Sequence, residues 1–410
     1  MTVRFPVTPR QLAGPVNRFA ADVAASQEDA GEGLVFSPAG MWAMLAGLSG
    51  LAEPAAAGEL AAVCRIAQWQ GAEGARMVLA ELEASTSTSA AVGMWVSDLV
   101  GELPDAAAGW FGPATVNRLT GDLPADAAAV AEWVAERSAV PVPAPVELSA
   151  QTLLAVVSVV SADTLWEKPF IDTGRGPAEG PWAGIDGVAV LSRMAPAADS
   201  PVRVVDGGHC RFTLVTVTGV GDVDVHLAIS DPDVPAGQLI ADAVLAAGVP
   251  PDEAATPWPQ QGPAVTFDTT RTAEPVDGGL TVLKVPKFSV TAKIDMLAPA
   301  SRFGLASASD DSQGRFPGLS ADPPLYVAAA GHAARAEFTA EGFRASAVTA
   351  MSVLRAAGIP RRDHETPLTT VTFDRPFAFV AADRRSGMVL FAGWVADPTG
   401  EQPPSAGDRR

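Results

Sequence analysis

The fold class is decided by residues 373–398, which read FDRPFAFVAADRRSGMVLFAGWVADP. Two short apolar runs stand in this stretch, Phe377–Ala382 and Val389–Val395, and a polar, glycine-containing segment separates them. Runs of this length, rich in Val and Phe and bounded by polar residues, are typical of strands. Together with residues 369–373 they predict a closing β-meander.

Upstream, the pattern changes from helical to extended near residue 151. The apolar spacing before that point predicts helices over residues 16–25, 41–51, 53–64, 74–85 and 125–137, with one strand over 90–96. After it, β-branched and alternating runs predict strands over residues 153–160, 202–205, 212–217, 223–229, 264–267, 280–285, 288–293 and 324–327, with one helix over 239–247. Helices first and strands later, without βαβ alternation, predict an α+β fold built around antiparallel sheets.

The composition excludes several classes of protein. The 410 residues carry 28 Lys and Arg against 47 Asp and Glu, a net charge of −19, and 48% are hydrophobic. Such a chain can bury a large core, and its acidity disfavours contact with nucleic acid or anionic lipid. No apolar run approaches the ~18 residues of a membrane-spanning helix. Residues 1–20 have no apolar signal region, so we expect a cytoplasmic protein, and heavy Ala, Gly and Pro usage indicates a GC-rich bacterial genome.

The reactive side chains do not form a recognisable catalytic set. The four histidines are scattered, so no metal site is predicted, and no Gly-rich loop precedes Lys-Ser/Thr. The adjacent His209 and Cys210 suggest a nucleophilic pair, but neighbours in a strand point to opposite faces. His226 lies in an alternating strand and is predicted to face solvent. We therefore expect no catalytic residue, no cofactor, and two structural cysteines, Cys64 and Cys210.

Residues 343–358, FRASAVTAMSVLRAAG, do not read as an ordinary connection. With a period of two, one face is small and almost entirely apolar, which makes the segment competent to be a buried strand. An Ala-rich helix over residues 345–357 is equally permitted by the composition. The residues alone leave these two interpretations open.

Several motifs resemble the serpin family, in the family's order and rough spacing, from near Asn17 to Pro398. The C-terminal stretch quoted above resembles the family's closing motif most specifically. The further matches are Phe36-Ser37-Pro38, Trp166-Glu167-Lys168-Pro169-Phe170, Val285-Pro286-Lys287-Phe288, and His332 ahead of Glu341-Gly342.

The resemblance implies an α+β serpin fold with three mainly antiparallel sheets and about nine helices. One domain would cover residues 1–398, with an exposed reactive loop at about 343–368 and a polar, disordered tail at 399–410. In inhibitory members a serine or cysteine protease cleaves this loop. The freed segment then inserts into the large sheet as a new strand and distorts the attached protease.

The resemblance also assigns roles to individual residues. The hinge would comprise Glu341, Gly342, Phe343, Arg344, Ala345, Ala347 and Thr349, and the sheet-opening region Ser37, Ser158, Trp166 and His332. Phe343 departs from the small residue expected there, and an aromatic ring should slow insertion because overpacking costs ~1–3 kcal/mol. The polar cluster beneath the sheet is also depleted, with glycines at Gly33 and Gly40.

The position of the cleaved bond follows from counting along the loop. Counting from the hinge places it after Arg355 or Ala356, which would suit a trypsin-like protease or an elastase- or subtilisin-like one, respectively. Counting back from Phe377 instead moves the bond towards Arg361 to Glu365, with Arg361 and Arg362 as the alternatives. Arg355 is equally well interpreted as an exposed loop cation. Helix 74–85 has no basic face, so no heparin-type cofactor is expected, and we expect a monomer.

Three functions are compatible with these observations. The first is a suicide-substrate inhibitor of a serine protease. The second is a non-inhibitory binding or scaffold protein with the same fold, favoured by Phe343 and the depleted polar cluster. The third is a scaffold recruited as an enzyme in bacterial specialised metabolism, because a fold does not fix a function.

Overall fold

The computed structural model describes residues 8–27, 31, 33–104, 107, 115–137, 145–176, 180–183, 185–249, 261–320, 322–344 and 363–398. Six α-helices lie within these ranges. They are α1 (Pro9–Ala25), α2 (Pro38–Leu48), α3 (Pro54–Val63), α4 (Gly71–Ala84), α5 (Leu123–Arg137) and α6 (Ala236–Ala247).

Seventeen strands occur in the described residues and form three sheets. The strands are β1 (Leu34–Phe36), β2 (Thr88–Ser97), β3 (Thr115–Leu119), β4 (Leu154–Leu165), β5 (Ile171–Gly176), β6 (Val188–Pro196), β7 (Val202–Asp206), β8 (Arg211–Val217), β9 (Val223–Ser230), β10 (Val265–Thr272), β11 (Leu280–Pro286), β12 (Phe288–Asp295), β13 (Ala329–Phe338), β14 (Gly342–Arg344), β15 (His364–Thr372), β16 (Phe377–Asp383) and β17 (Val389–Val395). Sheet A has the order β12-β13-β14-β4-β2-β3, sheet B the order β1-β17-β16-β9-β8-β7, and sheet C the order β10-β15-β11-β6-β5.

Helix α2 is the centre of the core, and its sequence explains why. Ser37 caps the helix by accepting a hydrogen bond from the Gly40 N–H, and Pro38 begins it. Every residue of α2 is buried, since the helix contacts α4, β4 and β17. A Cβ at Gly40 would lie 2.6 Å from Val160 Cγ2, so glycine at this position lets α2 approach β4 closely.

Sheet A is covered on both faces. The face towards α2 and sheet B belongs to a hydrophobic cluster that extends from Leu12 to Val395. The opposite face of β2 and β4 packs on α5, where Trp95 and Trp133 meet edge to face with ring centroids 5.0 Å apart. The two covered faces explain why β4 reads as a continuous apolar run rather than an alternating one.

Several predicted elements differ from those observed. The described residues hold six α-helices rather than about nine. The strand predicted over residues 324–327 is wrong, since the ladder begins at Ala329 in β13. The closing meander is only a hairpin of β16 and β17, because β15 belongs to sheet C. Among the described residues, no helix is both long and apolar enough to span a bilayer.

Candidate functional site

Sheet A is parted at one end by the short strand β14. Gly342–Arg344 lies between β13 and β4 and runs antiparallel to both. Further along, β13 and β4 pair directly with each other, with residues 329–332 parallel to residues 155–158. We call the parted end the open end of sheet A. The expected hinge residues 342–344 are thus strand residues of sheet A rather than part of an exposed loop.

Gly342 and Phe343 fit this position for different reasons. A Cβ at Gly342 would lie 2.3 Å from the Thr164 carbonyl oxygen, so only glycine permits this approach to β4. The Phe343 side chain is 1% exposed, and its ring centroid lies 6.1 Å from that of Phe379 and 6.5 Å from that of Phe391. The core beneath sheet A therefore accommodates the ring, and the expectation that Phe343 slows insertion stays a prediction.

Residues 166–170, which follow β4, form hydrogen bonds with the residues immediately before β14. The Trp166 backbone N–H donates to the Glu341 carbonyl at 2.8 Å, and its indole Nε1–H donates to the Thr339 carbonyl at 3.0 Å. The Phe170 N–H donates to the Ala340 carbonyl at 2.8 Å. The turn between β13 and β14 is therefore hydrogen-bonded to residues 166–170 along its length.

Arg193 in β6 supports residues 166–170 from sheet C, and our sequence reasoning missed it. Its guanidinium donates to the Lys168 carbonyl at 3.0 Å and to Ser200 Oγ at 2.8 Å, and it lies 4.6 Å from the Phe170 ring centroid. Burial lowers the pKa of Arg193 to about 10. The only signal in the sequence was a single arginine within a short apolar strand, which is too weak to indicate this role.

His332 joins the two strands that β14 separates. Its Nε2 accepts a hydrogen bond from the Ser37 N–H at 2.9 Å, and its Nδ1 lies 3.1 Å from Ser158 Oγ. Because Nε2 is an acceptor, the neutral ring carries its proton on Nδ1 and donates it to Ser158. Burial lowers the pKa of His332 to about 4. A neutral ring therefore ties β13 to β4 and both strands to the start of α2.

The other end of the expected loop is anchored in sheet C. Strand β15 lies between β10 and β11, antiparallel to the first and parallel to the second. Residues 364–371 pair with the whole of β10, and residues 368–372 pair with β11. The predicted loop boundary at residue 368 therefore falls within a strand, which already begins at His364.

The parted end of sheet A, the strand β14 and the hydrogen bonds of His332 thus lie within one region. Comparison with known proteins identifies this arrangement. A family model described as "Serpin (serine protease inhibitor)" matches residues 266–398. Plasminogen activator inhibitor 1 of Bos taurus is 33% identical over 117 residues, which is 28% of this chain and 27% of the relative. The thyroxine-binding globulin of Rattus norvegicus is 32% identical over 124 residues, or 30% and 28% of the two chains.

The solved structures extend the similarity to the whole fold. A thyroxine-binding globulin complex with thyroxine has a TM-score of 0.72 and 15% sequence identity, covering 95% of this chain and 100% of the other. Residues 266–398 match the serpin family, and the fold is that of a serpin. The aligned segments nevertheless span only 27–28% of the length of the curated relatives named above, so the activity of this serpin is a matter for proposal.

Some predicted site residues of this serpin lie outside the described residues. They are the hinge positions Ala345, Ala347 and Thr349 and the reactive-centre candidates Arg355, Ala356, Arg361 and Arg362. The described sheet-opening residues Ser37, Ser158 and His332 lie together at the closed part of sheet A, and Trp166 lies at its open end.

The remaining histidines and cysteines of this serpin have structural surroundings. His209 Nδ1 lies 2.9 Å from Asp242 Oδ1, and burial raises the pKa of the Cys210 thiol to about 12, which disfavours a nucleophilic thiolate. The prediction that His226 faces solvent is wrong, because this residue is only 8% exposed. The described residues contain no group of three or more potential metal ligands.

Proposed function

We propose that this serpin is a suicide substrate of a serine protease. The protease would cleave the chain within residues 345–362, and β14 would then extend along sheet A as a full-length strand while the protease remains attached through its acyl bond. The observation that carries the proposal is β14 itself. Its three residues already lie in register between β13 and β4, so insertion has a formed starting point.

The register of β14 determines where each following residue would lie. Because Arg344 is opposite Asp163, continued antiparallel pairing places Ala345 opposite Ala162 and Thr349 opposite Ser158. Residues alternate faces along a strand, so Ala345, Ala347 and Thr349 would follow Phe343 towards the core. Small side chains at these positions suit a narrow, closely packed gap between strands.

Extension of β14 requires β13 and β4 to separate where they now pair. It would break the contact between Ser158 and His332 and the parallel pairing of residues 155–158 with 329–332. In exchange, the new strand would form antiparallel ladders on both sides, each hydrogen bond contributing about 0.5–1.5 kcal/mol net. Thr349, arriving opposite Ser158, would bring a hydroxyl group to the place where His332 loses its partner.

The anchoring of β15 is the reason why cleavage would favour insertion. Extending β14 to the start of β4 at Leu154 uses residues up to 353, a descent of about 30 Å at ~3.4 Å per residue. An uncut chain would have to return to His364 through residues 354–363, which reach at most about 35 Å, so these residues would have to be almost fully extended. Because β15 is paired on both sides, releasing further residues from it would break its ladder hydrogen bonds.

The same register supports Arg355 as the residue before the cleaved bond. A cut between Arg355 and Ala356 releases a segment that would extend along sheet A as far as Leu154, with only its last two residues unpaired. A cut after Arg361 or Arg362 would leave a longer unpaired tail. Arginine before the bond suits a protease whose specificity pocket is acidic, as in trypsin.

The proposal is tested by incubating the purified protein with an equimolar amount of trypsin and, separately, of subtilisin. We expect an SDS-resistant adduct whose intact mass is that of the protease plus the residues up to the cut. The Arg355→Ala variant should lose the trypsin adduct, whereas the matched Arg361→Ala and Arg362→Ala variants should retain it.

The same experiment distinguishes the alternative function. Complete cleavage within residues 345–362 by both proteases, without any adduct and without inhibition, would contradict the inhibitory proposal. That result would favour a binding protein that uses the serpin fold without the insertion reaction.

A further inference from the structure

A cavity of about 340 Å³ lies against sheet C. Its floor is formed by β6, β11 and the end of β15, and the connection between β5 and β6 contributes Trp182 to its lining. The apolar residues that line it are Trp182, Val188, Val190, Val285, Pro286 and Phe373. Proteins commonly bind small organic ligands in cavities of ~300–1,000 Å³, so this one has the size of a small-molecule site.

The connection that carries Trp182 is fixed to the chain that follows β15. The Trp182 N–H donates to the Asp374 carbonyl at 3.3 Å, and the indole ring packs edge to face on Phe377 with centroids 6.4 Å apart. Gly180 has a φ of +63°, and a Cβ there would clash with the Asp374 carboxylate, so glycine lets the connection approach this residue. The cavity is therefore formed before any ligand arrives.

Three polar side chains stand next to one another on the floor of the cavity. Lys284 in β11 is opposite Ser192 in β6 and opposite Thr372 in β15. Residues opposite each other in a ladder project from the same face of the sheet, with Cβ atoms about 4.5–5.5 Å apart. All three line the cavity, so the Lys284 side chain stands between two hydroxyl groups.

The hydrogen-bond donors of the cavity lack acceptors. Within the described part of the chain, no group accepts a hydrogen bond from the Lys284 ammonium, from the Ser192 and Thr372 hydroxyls or from the Trp182 indole N–H. Trp182 is only 7% exposed, and a buried indole N–H normally has an acceptor. The cavity thus offers several donors and calls for a ligand with more than one acceptor atom.

The charge at the cavity has the same sign as this requirement. Among the described residues, Lys284 and Asp374 are the titratable side chains that line it. Asp374 is paired with Arg375, whose Nε lies 2.8 Å from Oδ1, whereas Lys284 pairs with no described carboxylate. A ligand that fills the cavity displaces water from the Lys284 ammonium, which is unfavourable unless the ligand brings a negative charge.

We propose that this cavity binds a small organic monoanion, a carboxylate attached to a flat apolar body. The carboxylate accepts hydrogen bonds from Lys284 and from the neighbouring hydroxyl and indole N–H groups. The body lies against Phe373 and the valines of β6. One unpaired ammonium balances one negative charge, so a carboxylate suits the site better than a phosphate dianion. The site lies in sheet C, and the inference does not depend on protease inhibition.

The test compares two probes with the same flat body, cinnamate and cinnamyl alcohol, by isothermal titration calorimetry on the intact protein. Cinnamate should bind about tenfold more tightly or better, because a charged acceptor forms the stronger hydrogen bonds with an ammonium group. Lys284→Met and Lys284→Gln should both lose this preference while the affinity for cinnamyl alcohol is unchanged. The control is Lys287→Met, which removes the same charge at an exposed position outside the cavity lining and should leave both affinities unchanged.

A second pair of variants fills the cavity instead of altering its charge. Ser192 lines the cavity, so Ser192→Leu places a larger side chain in the space of the ligand. It should weaken the binding of both probes about tenfold, because the site owes its affinity to burial of the ligand. Ser289→Leu in β12, at a partly exposed position that does not line the cavity, should have no effect.

Four results would overturn the inference. They are no detectable binding of cinnamate at millimolar concentration, equal affinity for the two probes, unchanged cinnamate affinity in both Lys284 variants, and unchanged affinity for both probes in Ser192→Leu. Thermal melting of each variant establishes that it is folded. Since no protease is present, the result is independent of whether the protein forms an adduct.

Discussion

The two ends of the segment between sheets A and C are held very differently. At the N-terminal end, β14 has three residues and pairs with only two positions of β13. At the C-terminal end, β15 has nine residues and is bonded along both edges by β10 and β11. The difference indicates which end can move. A cut between the two would leave the C-terminal end in sheet C and free the N-terminal end to extend β14.

The largest effect is expected from blocking the end that moves. In the Thr349→Arg variant a charged side chain would have to enter the core opposite Ser158, and an unpaired buried charge is strongly unfavourable. We expect this variant to be cleaved as a substrate and to form no adduct with trypsin. Thr349→Ser keeps the hydroxyl group and the small size, and it should form adduct as the parent protein does. Equal adduct yields for the two variants would show that residue 349 does not enter the sheet.

The hinge strand itself should depend on the Phe343 side chain. Removing a buried phenylalanine typically costs 3–5 kcal/mol, and because β14 can detach locally we expect about 2–4 kcal/mol for Phe343→Ala. Urea denaturation of the intact protein measures this change. The control is Phe267→Ala in β10, at a half-exposed site, with an expected change below about 0.5 kcal/mol. A similar small change for Phe343→Ala would mean that β14 is not docked in solution.

The closed part of sheet A should be sensitive to acid. The pKa of His332 falls from 6.5 in the unfolded chain to about 4 in the fold, so its contribution to stability is complete above pH 6.5 and is lost as the pH falls towards 4. The loss at pH 4.5 is about 2–3 kcal/mol, since one pKa unit corresponds to ~1.4 kcal/mol. His226, with a pKa of about 4, adds a loss of the same sign.

Variants separate these contributions in denaturation curves recorded between pH 7 and pH 4.5. His332→Gln can still accept the Ser37 N–H and should show a shallower dependence of unfolding free energy on pH. His364→Gln, at an exposed position, should retain the full dependence of the parent protein. If His332→Gln has the same pH dependence as the parent, His332 is not the group that titrates.

A smaller but direct difference between the two ends should be visible without any substitution. Amide hydrogens of residues 368–371 lie in the part of β15 that is paired on both edges, and those of residues 342–344 lie at a sheet end where local opening is easier. Hydrogen exchange of the intact protein should therefore be faster in peptides that cover 342–344. Slower exchange there than in β15 would reverse the comparison.

Much of the fold could be predicted from the sequence because the signals were local. The hairpin of β16 and β17 follows from apolar runs of strand length, and the serpin fold implied by the motifs is confirmed. The extent of strand β13 was not predicted because its residues, AAGHAARAEF, are mostly small and carry no β-branched side chain. Its strand conformation arises from pairing with β12 and β4, which a local pattern does not reveal.

The site was less predictable because its determinants are distant in sequence. The sequence could not show that the ring of Phe343 would lie beside Phe379 and Phe391 beneath sheet A. The pairing of β10 with β15, the support from Arg193 and the burial of His226 all depend on neighbours from other strands. No local pattern contains that information.

The central claim is that a cut within residues 345–362 allows the residues that follow β14 to join sheet A as a strand. Its most direct test compares the melting temperature of the intact protein with that of the protein after limited cleavage in this segment by a catalytic amount of trypsin. Residues 345–353 would gain ladder hydrogen bonds worth about 0.5–1.5 kcal/mol net each, so the cleaved form should melt at least about 10 °C higher. An unchanged or lower melting temperature, with the cut verified by mass spectrometry, would contradict the account.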